Sequence, residues 1–189
     1  NGVDFDRFKK NPAIKKEYDL VFTGNMSYPP NIKAAHFLAN EIIPLLVKKY
    51  PDIKLAIAGT NPHPSVKRLT SKNIIVTGWM DHITDAYNKA RIFIAPMQIG
   101  TGMQNKILEA MAMEIPCITS QLAGNAIKAT HEQNILIGDQ PTDYVKFISQ
   151  LLNDQKFADK IASNALNFVQ SNYNWETNSA PILNLIEQN

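Results

Sequence analysis

The sequence predicts an α/β fold in which a parallel sheet carries helices on both of its faces. Six short apolar runs alternate with stretches of helical periodicity along the 189 residues, which is the pattern of repeated strand–helix units. The runs lack the apolar–polar alternation of a half-exposed strand, so they indicate strands that are buried on both faces. We therefore expect a three-layer parallel sheet with right-handed crossovers and a ligand site at the carboxyl ends of its strands.

The expected strands and helices follow one another along most of the chain. Strands are predicted at residues 19–24, 53–58, 73–77, 91–95, 116–120 and 134–137. Helices are predicted at residues 30–49, about 65–70, 81–89, 103–113, 142–152, 155–171 and 177–186. Pro44 lies inside the first helix and is expected to kink it, and Asp81 is a candidate N-cap of the third. The loops after the strands are rich in Gly and small polar residues, which suits close approach of the backbone to a ligand.

Composition argues against several classes of protein. The formal net charge is +2, from 19 basic and 17 acidic residues, so no nucleic-acid partner is expected. The single cysteine, Cys117, permits no internal disulfide and fits a reducing compartment such as the cytoplasm. The four histidines, at positions 36, 63, 82 and 131, show no ligand spacing, so no metal is expected. No apolar run reaches the roughly 18 residues that a membrane span needs.

The most informative segment is IGTGMQNKILEAMAMEIPCITS, at residues 99–120. Its glycine turn, Gly100-Thr101-Gly102, precedes an apolar helix. The N–H groups at a helix start and the positive end of the helix dipole form a natural phosphate site. A tight turn that only redirects the chain is the alternative. The polar first turn, at residues 104–106, favours the phosphate site, because a lysine there opposes the dipole unless an anion is close.

Glu109 is the one carboxylate in the middle of this helix. Its neighbours are apolar on nearly every side, which is typical of a buried helix. An isolated buried carboxylate is costly, so Glu109 must pair with protein donors, reach solvent in a cleft, or accept hydrogen bonds from a ligand. It lies about two turns beyond the glycine turn, where it could reach a hydroxyl-rich group next to a phosphate. The segment therefore predicts a nucleotide or nucleotide-sugar pocket.

Two further patterns concern the role of Trp79 and the possibility of a dinucleotide-binding enzyme. Trp79 follows a predicted strand and could wall a base pocket or simply pack against the core. The pattern Gly100-x-Gly102-x-x-Asn105 lacks the third glycine of a dinucleotide fingerprint and follows a late strand, which argues against a dinucleotide dehydrogenase.

Several segments together resemble one enzyme family. GTGMQNKILEAMAMEIPCITS resembles the donor-binding signature of family-four glycosyltransferases (glycosyl transferases group 1), and it looks most similar to exopolysaccharide-type bacterial sugar transferases. NGVDFDRF resembles the linker that enters the C-terminal half of these enzymes. GNMSYPPN, GTNP, VTGWM and YNWE follow in the family's order. The resemblance implies the C-terminal, Rossmann-like half of a GT-B fold, which binds a nucleotide-sugar donor.

The resemblance also implies a domain organisation and a site. The chain is expected to be one domain over residues 1–189, with an entry linker at 1–12 and a closing helix at 173–189, and without the N-terminal acceptor domain. The diphosphate is expected on the N–H groups of Gly102 and Met103, and the ribose on Glu109. Gly59, Trp79 and Met80 would border the base, and Gly24-Asn25 would approach the phosphate. The candidate donor-binding residues are Gly24, Asn25, Gly59, Trp79, Met80, Gly100, Thr101, Gly102, Met103, Gln104, Lys106 and Glu109.

The chain departs from the family pattern at positions that bind the sugar and the diphosphate. Thr101 stands where many members carry a glutamate that helps to hold the sugar. Asn25 and Asn31 stand where many carry Arg and Lys, and Gln98 stands where related transferases often carry Arg. Stabilisation of the leaving group is therefore expected either to be weaker or to shift to Lys106, to Lys33 or to the absent domain.

The expected function is donor binding in a retaining, metal-independent glycosyltransferase. The donor would be a UDP or GDP sugar, and the acceptor a glycan or lipid-linked molecule held by the N-terminal domain. A catalytic base would belong to that domain, so no catalytic residue is assigned to this chain. The full-length protein is expected in the cytoplasm, with peripheral association at the inner face of the membrane as one variant. A nucleotide-sugar epimerase of the same fold and a non-catalytic binding domain are the alternatives.

Overall fold

The computed structural model describes residues 2–100 and 102–174. Within these ranges six strands form one sheet in the order β3-β2-β1-β4-β5-β6, and every pairing between neighbours is parallel. The strands are β1 (Tyr18–Thr23), β2 (Leu55–Ala58), β3 (Ile74–Gly78), β4 (Ala90–Ala95), β5 (Cys117–Thr119) and β6 (Leu136–Ile137). Each overlaps a predicted strand, and the α/β class is confirmed.

Helices connect the strands and flank the sheet. They are α1 (Pro29–Phe37), α2 (Ile43–Val47), α3 (Pro64–Lys67), α4 (Ile83–Asn88), α5 (Asn105–Ala112), α6 (Gln121–Ala126), α7 (Pro141–Asn153) and α8 (Gln155–Asn172). Helix α4 packs against β1, β2 and β4, whereas α5 packs against β4 and β5 and against α8. None of the helices in the described residues is long and apolar enough to span a membrane.

The central strands are buried because both of their faces meet helices. Val21 of β1 pairs with Ala56 of β2 on one side and with Phe93 of β4 on the other. These residues and all four residues of β2 are fully buried. This explains the continuous apolar runs, since a strand covered on both faces has no place for alternating polar side chains.

The chain changes direction across the sheet between β1 and β4. From β1 it moves outward through β2 to β3, and it then returns to place β4, β5 and β6 on the opposite side of β1. The connections that leave the carboxyl ends of β1 and β4 therefore run to opposite sides of the sheet and leave a crevice between them. This crevice positions the candidate site.

The first long helical segment is irregular where the sequence places Pro44. A π-helical segment, Leu38–Ile42, separates α1 from α2, and the N–H of Ile43 donates to the carbonyl of Leu38, five residues earlier. Proline cannot donate a backbone hydrogen bond, and a π segment is one way in which a helix accommodates a local break in its hydrogen-bond ladder. The irregularity next to Pro44 is therefore a π-helical segment.

Three local expectations are corrected by the structure. Helix α4 begins at Ile83 with His82 at the N-cap position, so Asp81 is not the cap; its carboxylate accepts a hydrogen bond from Trp79 Nε1 (3.2 Å) instead. Helix α5 begins at Asn105 rather than at residue 103. Residues 121–126, which follow the fifth predicted strand and lie in no predicted helix, form α6.

The C-terminal expectations lie largely outside the described residues. The helix predicted at residues 177–186 and most of the closing helix at 173–189 are beyond residue 174. Tyr173 caps α8, and its hydroxyl donates to the carbonyl of Ile127 (2.8 Å).

The segment before β1 packs onto the domain. Val3 and Phe8 are buried in the core. Val3 donates its N–H to the carbonyl of Tyr173 (2.8 Å) and forms a parallel bridge with Asn174. The segment is therefore held next to the end of α8.

Candidate functional site

A cavity of about 340 Å³ opens at the carboxyl ends of the strands. Its walls come from the segment before β1, from the loops after β1, β2 and β3, and from α4 and α5. The lining residues are Arg7, Thr23, Gly24, Asn25, Gly59, Thr60, Trp79, Met80, Asp81, Ile83, Lys106 and Glu109. Seven predicted site residues are thus brought together: Gly24, Asn25, Gly59, Trp79, Met80, Lys106 and Glu109.

Two glycines form the floor of the cavity. Gly59 has a φ of +139°, and a Cβ at this position would lie 1.9 Å from the carbonyl oxygen of Gly24. Gly24 donates its N–H to the carbonyl of Ala58 (3.0 Å). The loops after β1 and β2 are therefore pressed together, backbone against backbone. Only glycine fits at position 59, and the floor presents peptide groups in place of side chains.

Glu109 lies on α5, half-buried at the edge of the cavity. Its Oε2 accepts a hydrogen bond from the hydroxyl of Tyr87 (2.9 Å). Burial raises the pKa of this carboxyl, and the Tyr87 hydrogen bond and the positive charges of Arg7 and Lys106 act in the opposite direction. Of the three options that the sequence left open for Glu109, the structure therefore shows pairing with a protein donor and a position in a cleft.

Lys106 lies one helical turn before Glu109, on the same side of α5. Its Nζ donates a hydrogen bond to Asn31 Oδ1 and lies over the ring of Phe22, 4.9 Å from the centroid. Burial lowers the pKa of this amine to about 8, although the charge of Glu109 opposes the shift. The sequence correctly indicated a lysine that opposes the dipole of its helix. Its ammonium is held by an amide oxygen and by an aromatic face.

Asn31 links this lysine to the loop after β1. Its Nδ2 donates to the carbonyl of Asn25 (2.9 Å), while its Oδ1 accepts from Lys106. A Cβ on Gly24 would lie 2.7 Å from Asn31 Nδ2 and 3.2 Å from Lys106 Nζ. The Asn31 amide therefore holds Lys106 beside the glycine floor.

Arg7 is a site residue that sequence reasoning missed. It lines the cavity from the segment before β1, and its charge acts on Glu109. The side chain is exposed, and the guanidinium lies 5.2 Å from the centroid of the Phe8 ring. The linker motif was visible in the sequence, but nothing in its spacing indicated that the segment folds back over the strand ends.

Trp79 and Met80 form one wall of the cavity. Trp79 is 71% exposed, and its indole N–H donates to Asp81. A tryptophan with a packing role would be covered by the core, so this exposure supports the alternative in which the ring faces the cavity.

The glycine turn lies beside the cavity rather than in it. Gly100 and Gly102 have φ values of +120° and +100°, which explains the choice of glycine. Because α5 begins at Asn105, the N–H groups of Gly102 and Met103 precede the helix and its N-cap residue, Gln104. Gly100, Gly102, Met103 and Gln104 are not among the described residues that line the cavity. Thr101 lies outside the described residues.

The other lysine expected to compensate for the missing cations is placed elsewhere. Lys33 lines a separate surface cavity of about 370 Å³ together with Gln98 and His36. Of the two lysines, only Lys106 lies against the glycine floor. Among the described residues no group of three or more His, Cys, Asp or Glu side chains could hold a metal ion.

The fold and the cavity together define a class of protein. A parallel sheet with a polar, glycine-floored cavity at the point where strand order reverses is a Rossmann-like ligand-binding domain. The chain belongs to the glycosyl transferases group 1 family, whose sequence profile matches residues 17–154.

Individual relatives agree with this assignment. An Escherichia coli protein named UDP-Gal:alpha-D-GlcNAc-diphosphoundecaprenol alpha-1,3-galactosyltransferase is 28% identical over 195 residues, which cover 92% of this chain and 49% of that protein. Across the curated relatives compared, the matched region spans about half of their length.

Solved structures share the fold. The C-terminal domain of a glycosyl transferase group 1 family protein from Francisella tularensis matches with a TM-score of 0.73 at 20% identity, covering 92% of this chain and 100% of that domain. An Anabaena protein in complex with UDP and glucose matches with a TM-score of 0.80 at 15% identity, covering 99% of this chain and 55% of that protein. The predicted C-terminal, Rossmann-like half of a GT-B fold is confirmed.

Proposed function

We propose that this chain is the donor-binding half of a retaining, metal-independent glycosyltransferase. The observation that carries the proposal is the arrangement of Lys106 and Glu109 over a floor of bare backbone. A cation and a carboxylate, one helical turn apart, face the same cavity of about 340 Å³. This pairing suits a ligand that presents negative charge next to vicinal hydroxyl groups, as a nucleoside diphosphate does.

The cavity suggests a place for each part of the donor. The diphosphate would lie on the glycine floor beside Lys106, with Arg7 at the mouth. The ribose hydroxyls would donate to Glu109, and the base would lie against Trp79 and Met80. The glycine turn does not line the cavity. Its N–H groups would therefore join the site only if the donor extends beyond the cavity toward the residues that precede α5.

The proposed role of the cations follows from the reaction class. Departure of a nucleoside diphosphate develops negative charge on the leaving group, and a cation already held in place by protein contacts stabilises that charge without further reorganisation. Lys106 is held in this way by Asn31 and Phe22. In this proposal Glu109 positions the donor and transfers no proton.

The relatives supply the expected substrate class. One curated relative is named for a UDP-galactose donor, and one structural neighbour was solved with UDP and glucose. Because the chain spans about half of its relatives, the acceptor, which we propose to be a glycan or lipid-linked molecule, would be held by another domain. We expect the isolated chain to bind nucleotide weakly and to transfer little sugar.

Calorimetric titration of the chain with UDP and with GDP tests the proposal. A lost hydrogen bond to a charged group costs about 1.5–3 kcal/mol, so Glu109→Ala should weaken binding roughly tenfold or more. Glu114→Ala is the matched control, because this carboxylate follows the same helix but pairs with Lys10 (3.1 Å) away from the cavity. Absence of binding by the wild-type chain, or equal affinity in Glu109→Ala, would overturn the proposal.

A further inference from the structure

Tyr87 is a buried tyrosine whose hydroxyl lies at the back of the cavity. The side chain is fully buried on α4, and its ring packs edge-on against Phe8 and in a tilted contact with Phe93. The hydroxyl is 2.9 Å from Thr23 Oγ1 and 2.9 Å from Glu109 Oε2. It is also 3.3 Å from the carbonyl oxygen of Lys106.

The chemistry of these groups fixes the direction of the hydrogen bonds. A phenol has one hydrogen to donate, and an ionised carboxylate can only accept. Of the two groups that can only accept, Glu109 is closer than the Lys106 carbonyl (2.9 Å against 3.3 Å) and takes the phenolic hydrogen, so Thr23 donates its own hydrogen to the phenolic oxygen. The result is an ordered relay of donors, Thr23 to Tyr87 to Glu109, that crosses from β1 through α4 to α5.

This relay constrains the orientation of the Glu109 carboxylate. Oε2 is tied to a hydroxyl that the core holds in place, so rotation of the carboxylate would break the contact. Within the described part of the chain, Oε1 takes no hydrogen bond from another residue. One oxygen is therefore committed to the protein, and the other remains available to a ligand.

We propose that Tyr87, itself oriented by Thr23, is the positioning residue that holds Glu109 in the orientation in which it receives ligand hydroxyl groups. This inference rests on the proposed function, because it assigns the hydroxyls to the ribose of the donor. It goes beyond that function by giving a role to a residue that does not line the cavity.

The electrostatics of the pair are consistent with this role. Burial raises the pKa of Tyr87 well above its usual value, with the charge of Glu109 acting in the same direction, so the phenol remains a donor. The hydrogen bond from Tyr87 counteracts the effect of burial on the pKa of Glu109. The other charged groups that face Glu109 are Arg7, from the segment before β1, and Lys106, from its own helix.

The test compares UDP affinity in the wild-type chain and three variants by calorimetry. Tyr87→Phe keeps the ring contacts and removes only the hydroxyl, so we expect about tenfold weaker binding, from the loss of a hydrogen bond to a charged group. Thr23→Val, which removes the donor to Tyr87, should weaken binding by a smaller factor. Tyr50→Phe is the matched control, because it removes a hydroxyl that accepts a hydrogen bond from Asn153 Nδ2 (2.8 Å), away from the cavity; its affinity should equal that of the wild type.

A double-mutant cycle separates positioning from a general loss of structure. If Tyr87 acts through Glu109, Tyr87→Phe should have almost no effect in a Glu109→Gln background. The acidic limb of the pH profile of UDP binding should also move to higher pH in Tyr87→Phe, because the carboxylate loses a bond that favours its charged form.

Each outcome bears on the inference. Equal weakening by Tyr87→Phe in the wild-type and Glu109→Gln backgrounds, or an unshifted pH profile, would overturn the positioning role while the donor site stands. If Glu109→Gln itself has no effect on UDP binding, it is the proposed function that fails. Should Tyr87→Phe not fold, the same cycle is run with Thr23→Val, and additivity there overturns the inference.

Discussion

The ammonium group of Lys106 lies 4.9 Å from the centroid of the Phe22 ring. Phe22 is fully buried in β1, so a residue in the central strand supports the cation of the candidate site. Burial of the Lys106 amine lowers its pKa to about 8. The charge of the site therefore changes within an accessible pH range.

The affinity for UDP should fall as the pH rises through about 8. Below this value Lys106 is protonated and attracts the diphosphate. Above it the free chain must take up a proton to bind, which weakens affinity by up to about tenfold per pH unit until the bound-state pKa is reached. Calorimetric titration between pH 6.5 and 9.5 measures this slope.

Lys106→Met should remove most of this pH dependence and bind UDP weakly throughout. Lys33→Met is the control, since Lys33 lines a different cavity; it should retain both the affinity and the slope. A slope that persists unchanged in Lys106→Met would assign the titration to another group.

Arg7→Gln should weaken UDP binding about two- to fivefold, because an exposed charge contributes only modestly to an ionic contact. The loss should shrink at high salt, where the contribution of an exposed cation is screened. Arg68→Gln, an arginine that caps α3 away from the cavity, provides the matched comparison. Identical salt dependence in Arg7→Gln and the wild type would contradict a role for this guanidinium.

Gly59→Ala should destabilise the domain by at least about 3 kcal/mol, because overpacking adds to an unfavourable backbone angle. The new Cβ would lie 1.9 Å from the carbonyl oxygen of Gly24. Gly78→Ala separates the two effects: its φ is +71° but no atom lies within 4 Å of the added carbon, so a loss of about 1–2 kcal/mol is expected. Chemical denaturation compares the two, and equal losses would refute the close approach.

UDP binding should change the fluorescence of Trp79, since a ligand that covers an indole with 71% exposure alters its contact with water. The measurement uses a Trp175→Phe background, which leaves Trp79 as the sole tryptophan in the sequence. Trp79→Phe in the wild-type background should abolish most of the response. A signal that survives in Trp79→Phe would locate the base elsewhere.

The strands were predictable because burial on both faces leaves a continuous apolar run in the sequence. Glu109 was predictable for a similar reason, since a carboxylate in an apolar helix breaks a local pattern. These signals are carried by a few adjacent residues, and no knowledge of the tertiary fold is needed to see them. The floor glycines, Gly24 and Gly59, were assigned to the site by the family resemblance.

Other features depended on tertiary contacts. Helix α6 contains Gly124 and Asn125, which are weak helix formers; Ser120 caps it, and Gly124 packs against Ile137. Tyr87 and Glu109 are 22 residues apart in sequence. Their hydrogen bond forms because α4 and α5 both pack against β4. Arg7 reaches the cavity only because its segment folds back. The periodicity of a single helix or strand does not predict these tertiary contacts.

The segment that carries Arg7 is attached to the rest of the domain at two points. On its N-terminal side, Val3 forms a β-bridge with Asn174, near the end of the described sequence. On its C-terminal side, the N–H of Asn11 donates to Asn88 Oδ1 (2.9 Å). Between these two points, the ring of Phe8 packs against the ring of Tyr87. Loss of the bridge at the end of α8 would remove one of these two attachments of the segment that carries Arg7. The electrostatic potential at the candidate site therefore depends in part on contacts at a helix end that does not line the cavity.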